Sequence, residues 1–298
     1  MEHQDELIHD YPKPLDAHWK ENWYFNFIDR KNNAWGINHI SLLRLHQQGR
    51  FSAFHVVDNE VLLYSNLIDL SDDFQELSDG KLRFEFIEPF KKFRVTFNGP
   101  RHQVEIAYEK RFEVFDYAQG RKPGKDKALA LNHYEQALLA TGTITKGGKT
   151  RTIECFGHRD HSWGYRNESK VTGWNWVAVQ FADKTINLSR VIIGKAFMGQ
   201  GFISTAEGNT RVVRVNIEGT KYENKVPTSS VFTGIDEKGK TWKLKSEKFS
   251  GLFLPMKEKG KGVVVHENFA DYTLLDTGDK AVGIDEYLIN PEMESPGT

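Results

Sequence analysis

The chain of 298 residues carries 40 basic and 41 acidic side chains, a net charge of -1, with 39% hydrophobic and 12% aromatic residues. That balance excludes broad affinity for nucleic acid or an anionic membrane, and the single cysteine, Cys155, excludes a disulfide framework and a thiolate zinc site. No apolar run approaches the roughly 18 residues of a membrane helix, and the acidic start Met1–Asp10 lacks a secretory pattern, so a cytoplasmic protein without a membrane span is expected.

Polar and aromatic residues alternate over Glu21–Asp29, which predicts a strand, and Lys31-Asn32-Asn33 turns the chain into a second strand over Ala34–Leu45. After the turn Gln47–Arg50, Phe51–Val57 and Val61–Ser65 form a hairpin around Asp58-Asn59. Ser71–Gly80 suggests one helical turn. Strands follow at Leu82–Ile87, Phe93–Phe97, Val104–Tyr108 and Phe112–Phe115. Ala118–Asp126 is a polar loop, read as an ordinary surface loop or as a rim or lid. Glu135–Thr145 and Lys149–Phe156 form a hairpin over Lys146-Gly147-Gly148, a strong turn signal. Beyond the middle the alternation resumes at Trp174–Phe181, Ile186–Ile193, Gly201–Thr205, Thr210–Glu218, Ser230–Asp236, Thr241–Ser246, Gly262–Ala270 and Ala281–Ile289. The glycine-rich stretch Gly194–Gly201 is read as a loop, with no helix to make it an anion site.

Short strands at regular spacing without long helices predict an all-β protein, built as two antiparallel barrels or a pair of curved sheets. The expected domains are residues 1–156 and 157–298. Exposed strand edges leave an oligomer open, although no residue pattern specifies one.

Between the halves lies Gly157-His158-Arg159-Asp160-His161-Ser162-Trp163-Gly164-Tyr165-Arg166, a dense set of ionisable and aromatic groups. Arg159–Gly164 resembles the Asp-His-x-Trp-Gly signature of the carotenoid 1,2-hydratase (hydroxyneurosporene synthase), AttH-like and kievitone hydratase superfamily. Glu21–Asp29, His133–Gln136 and Gly283-Ile284-Asp285-Glu286-Tyr287 are also similar to that group. The resemblance implies two lipocalin-like (calycin) β domains with a pocket between them. It also implies addition or elimination of water, isomerisation or pericyclic closure on a hydrophobic terpenoid, polyketide or aromatic molecule, with no obligatory redox cofactor.

Hydration of an alkene needs a proton donor and a base. A buried Asp160 held protonated would serve as the acid, with His161 beside it. Arg159 is a third candidate, although a guanidinium paired with Asp160 would make a structural clamp instead. In a regular strand Asp160 and His161 point to opposite faces, so at most one meets a substrate; Asp160 is the first choice. Trp163, Tyr165, Trp174, Trp176, Tyr24, His39 and Glu135 are candidate substrate-binding residues, each also readable as core or as a satisfied structural group. His158 and His161 match no zinc spacing, so neither a metal nor another cofactor is expected. No dinucleotide fingerprint, P-loop or nucleophile elbow occurs. Three functions remain: a hydratase or dehydratase, an isomerase or cyclase using the same pocket, and a non-catalytic carrier of hydrophobic ligands.

Overall fold

The computed structural model describes residues 1–11, 18–71, 73–118, 129–258 and 261–290. The chain divides into two compact units, Met1–Arg166 and Asn167–Thr298. The expected boundary after Phe156 falls inside a continuous strand, Lys149–Arg166, whose ladder hydrogen bonds carry the first unit on through the central motif.

Ten strands build the first unit: β1 (Trp19–Asp29), β2 (Ala34–Leu43), β3 (Gln48–Val57), β4 (Glu60–Asp69), β5 (Leu82–Glu88), β6 (Lys92–Asn98), β7 (His102–Lys110), β8 (Phe115–Asp116), β9 (Leu129–Lys146) and β10 (Lys149–Arg166). They form one antiparallel sheet in the order β4-β3-β2-β1-β10-β9-β7-β6-β5, with β8 on β9. The two tightest predicted hairpins occur as expected. Asp58 and Asn59 both take positive φ, as do Gly147 and Gly148, the geometry that matches the right-handed twist of flanking strands. Leu70 and Leu77 bury into the core, and the described residues of Ser71–Gly80 hold one hydrogen-bonded turn, from the Phe74 N–H to the Ser71 carbonyl oxygen, then bends and an isolated bridge, with no helix. Most of the predicted loop Ala118–Asp126 lies outside the described residues.

Chain order and sheet order differ in one respect that matters. The first strand lies in the middle of the sheet, between β2 and the last strand, β10. All but one of its residues are buried, on both faces. Trp23, Phe25 and Phe27 point into an apolar core with Ile40, Phe51, Phe93 and Tyr108. Burying each such side chain contributes about 1.5–3 kcal/mol.

Unit two is a closed antiparallel barrel of β11 (Gly173–Gln180), β12 (Thr185–Ile193), β13 (Ala196–Thr205), β14 (Gly208–Glu223), β15 (Val226–Asp236), β16 (Thr241–Glu258), β17 (Lys261–Leu274) and β18 (Lys280–Ile289). Pairing of β11 with β18 closes it. Val177, Val179, Phe181, Leu188, Phe232 and Leu244 fill one part of the interior. Elsewhere inside, the Tyr287 hydroxyl lies 2.6 Å from Ser230 Oγ, and burial pushes the Asp285 carboxyl up to about 6.

The glycine-rich segment read as a loop is mostly strand, with only a tight turn at Gly194. Gly199 and Gly201 answer close backbone approach rather than a turn. A Cβ at Gly201 would lie 2.0 Å from the Asn187 carbonyl oxygen. Gly142 in β9 is in the same position, with the Glu105 carbonyl oxygen 2.0 Å away. Gly142→Ala and Gly201→Ala are each expected to cost about 1–3 kcal/mol by overpacking, against a small gain at an unhindered strand glycine. Urea unfolding of the two variants checks this; unchanged midpoints would contradict the close approach.

Candidate functional site

Strand register sorts the central motif into two sets. Tyr24 on β1 lies opposite His39 on β2 and Asp160 on β10, and Asp160 lies opposite Glu135 on β9. Side chains directly across a ladder share a face. His39, Tyr24, Asp160 and Glu135, four of the candidates, therefore form one lateral row over four adjacent strands. His158, two residues from Asp160, joins them from the next row, opposite Asn26.

Glu135 and His158 are wholly buried, whereas Asp160 is half-buried. His158 Nε2 lies 2.7 Å from Glu135 Oε2, and His133 Nε2 lies 3.4 Å from the other carboxylate oxygen. Burial, with the Arg159 guanidinium adding to it, pushes His158 down to about 3. A neutral ring donates Nε2–H to the carboxylate and keeps Nδ1 as its acceptor. His39 is pushed down to about 4 by burial and by the nearby charges of Arg166 and Arg50. Asn26 Nδ2 donates to the Tyr24 hydroxyl at 3.2 Å, and its Oδ1 accepts the His158 backbone N–H at 3.1 Å. The Tyr117 ring stacks on His133 at 4.9 Å. Carboxyl groups, neutral imidazoles and a phenol thus share one face, with two guanidinium groups near it.

Arg159 and His161 occupy the opposite face. The Arg159 guanidinium donates to both Glu6 oxygens, at 2.6 and 3.2 Å, and to Gln136 Oε1, and it lies 4.0 Å over the Phe93 ring. His161 Nε2 lies 2.9 Å from Glu21 Oε1, and its Nδ1 lies 3.0 Å from both the Asp5 carbonyl oxygen and the Tyr134 hydroxyl. Burial pushes the Glu21 carboxyl up, but hydrogen bonds from His161 and His9 outweigh that and leave it lowered. Burial likewise leaves the His161 imidazole lowered. Trp163 stacks on His9 with centroids 3.9 Å apart, and Tyr165 meets His18 edge-on. These groups fasten the N-terminal segment to the sheet. Trp174 and Trp176 belong to the other unit, on the outside of its barrel. There the Trp174 indole N–H donates to Glu286, and Trp176 lies across the ladder from the same residue.

Asp160 thus shares its face with Tyr24, His39 and Glu135, and Arg159, His161, Trp163 and Tyr165 do not. Sequence reasoning weighed His158 only as a metal ligand and missed its bond to Glu135. The partners Glu6, His9 and Glu21 were missed outright.

Because native His158 binds its proton only near pH 3, the unfolded chain takes up a proton that the native state refuses below about 6.5. Its stabilising contribution is complete above that pH and declines as pH falls toward 3, by about 1.4 kcal/mol per pH unit. His158→Gln should flatten the acid limb of the stability curve by about that slope. Urea unfolding at stepped pH measures it; an unchanged slope would contradict a neutral His158.

The fold is similar to that of several solved structures. An AttH-like protein from Nitrosomonas europaea superposes with a TM-score of 0.72 at 12% identity, over 94% of this chain and 96% of that one. Kievitone hydratase from Nectria haematococca gives 0.67 at 12% identity, over 92% and 90%. CghA with Sch210972 gives 0.68 at 11% identity, over 94% and 90%. The fold expected from the resemblance to the AttH and kievitone hydratase group is the fold of these structures, across nearly the whole chain. No curated protein sequence matches it. Residues 2–291 match one family profile, and the chain belongs to that family, described as a domain of unknown function (DUF7064).

Proposed function

We propose that the chain is a hydratase or dehydratase-type lyase acting on a hydrophobic small molecule, with Asp160 and Glu135 as its acid–base pair. One observation carries this reading: two carboxyl groups lie directly across the β9–β10 ladder on one face, with a buried neutral histidine bonded to one of them. Like charges in that position disfavour ionising both groups, which favours one shared proton in this reading. The hydrogen bond from His158 favours the ionised form of Glu135, which makes Glu135 the base and Asp160 the acid of the proposed pair. Asp160 is also the more exposed of the two, and so the one a substrate meets.

For hydration, Asp160 delivers its proton to the alkene carbon. Glu135 takes a proton from the water whose oxygen adds to the adjacent carbon. The carboxyl pair then holds one proton again, now on Glu135, and transfer back to Asp160 restores the starting state. Dehydration is the same sequence reversed. Tyr24, with its phenol fixed by Asn26, orients a substrate oxygen. The positive edge at Arg166 and Arg50 favours a substrate in which negative charge gathers on such an oxygen. Kievitone hydratase, one of the structural neighbours, carries this reaction class in its name, which supports the assignment. Isomerase or cyclase chemistry would use the same acid without net transfer of water.

Incubation with a panel of unsaturated and hydroxylated terpenoids, polyketides and phenolics, read by mass spectrometry for gain or loss of water, tests the assignment. Asp160→Asn and Glu135→Gln should each lower kcat about 10²–10⁴-fold. If both variants turn over like the parent, the carboxyl pair is not the acid–base pair. Binding without turnover across the panel would instead indicate a carrier. Glu6→Gln serves as a contrast from the opposite face. Leaving the buried Arg159 uncompensated should cost about 3–5 kcal/mol of stability. Asp160→Asn, at a half-buried position, should leave the melting temperature nearly unchanged. Equal destabilisation by both variants would contradict the assignment of the two faces.

A further inference from the structure

The expectation of no metal rested on His158 and His161, which the register places on opposite faces and which share no site. A different group converges. His9 Nδ1 lies 2.7 Å from Glu21 Oε1, and His161 Nε2 lies 2.9 Å from the same oxygen. One candidate ligand atom from each residue lies within 4.8 Å of the others. The three residues come from three places in the chain: the segment before β1, β1 itself and β10.

The hydrogen-bond pattern around His161 is what singles this group out. Its Nδ1 faces the Asp5 carbonyl oxygen, which can only accept, so a hydrogen on Nδ1 satisfies that contact. The Tyr134 hydroxyl, also 3.0 Å from that nitrogen, can then donate to Glu6 Oε1, likewise 3.0 Å away. In that tautomer His161 Nε2 presents a lone pair toward the Glu21 carboxylate. Without an ion Nε2 can carry a hydrogen and donate to Glu21 Oε1; with an ion present the same nitrogen and oxygen, together with His9, are grouped closely enough to bind it. On His9, Nε2 is buried with no hydrogen-bond partner among the described residues. Glu21 is pre-oriented by the His9 backbone N–H, at 3.1 Å from Oε2 and 3.3 Å from Oε1. A carbonyl on the far ring nitrogen and a main-chain donor on the carboxylate are the outer contacts that metal-binding histidines and carboxylates use.

We propose that His9, Glu21 and His161 form a binding site for a divalent transition metal ion of the Zn²⁺ type. Two imidazoles and one carboxylate suit zinc and its neighbours rather than Mg²⁺ or Ca²⁺, which take oxygen ligands. Donor–metal bonds of about 2.0–2.2 Å need tetrahedral donor separations of about 3.3 Å, so the three groups must open by about half an ångström. His9 can give way, because it lies outside regular secondary structure. The ion would clamp the N-terminal segment to the middle of the sheet. The role is structural, on the face away from Asp160, and independent of the proposed lyase chemistry.

Full-length protein stripped with a chelator should take up Co²⁺ with visible d–d absorption of a low-coordinate nitrogen–oxygen site. Zn²⁺ should abolish that absorption and raise the melting temperature, whereas Mg²⁺ should do neither. His161→Ala can fail to fold, so His9→Gln is the deciding variant. It should keep the parent far-ultraviolet circular dichroism and lose at least about 100-fold in Zn²⁺ affinity. Absence of both the Co²⁺ bands and the Zn²⁺ thermal shift in the parent overturns the site and leaves a proton-sharing network. Bands that persist unchanged in His9→Gln overturn it as well, because the ion then binds elsewhere.

Discussion

The pairing of β1 with β10 is the constraint on which the first unit depends. It brings the start and end of that unit side by side at the centre of one sheet, where both faces of β1 are buried. A slip of one residue would exchange the two faces. Trp23, Phe25 and Phe27 would leave the core, and Arg159 would lose Glu6. The large penalties on both sides of the strand fix the register, and the register in turn decides which functional groups meet.

That sorting gives adjacent residues different duties. Arg159 and His161 are wholly buried, and their bonds run to Glu6, Gln136, Glu21 and the main chain of Asp5. Asp160 between them sits half-buried beside Glu135 and Tyr24. A motif that reads as one reactive cluster is therefore a fastening on one side and a candidate site on the other. The buried guanidinium still reaches across the sheet electrostatically, since Arg159 helps hold His158 neutral.

Much of this was legible in the chain because the signals were local. Alternation located nearly every strand, and Asp58-Asn59 and Gly147-Gly148 announced their turns. The second turn held more than was taken from it. Counting outward from Lys146↔Lys149 along a regular hairpin arrives at Glu135 opposite Asp160 and at Ala137 opposite His158. The carboxyl pair was readable from that turn alone. Glu6 and His9 were not, because an irregular segment carries no period, and Arg159 and His161, which they meet, lie more than 100 residues away in β10. The glycines at 199 and 201 misled because close backbone approach and a turn ask for the same residue. Only the neighbouring strand distinguishes the two.

The central place of β1 also sets an order of events during synthesis. This strand leaves the ribosome early, yet one of its two neighbours, β10, is made only at the end of the first unit. Until then β1 can pair with β2 alone, and its β10 edge and aromatic face stay open. The unit cannot complete itself progressively from its N-terminus; it must wait and close late, which is the slow and aggregation-exposed route for a β topology. The barrel repeats the pattern, since β11 meets β18 only when the last strand has emerged. Two late closures in one chain leave strand edges open while it is being made, and make it vulnerable to any truncation that removes either closing strand.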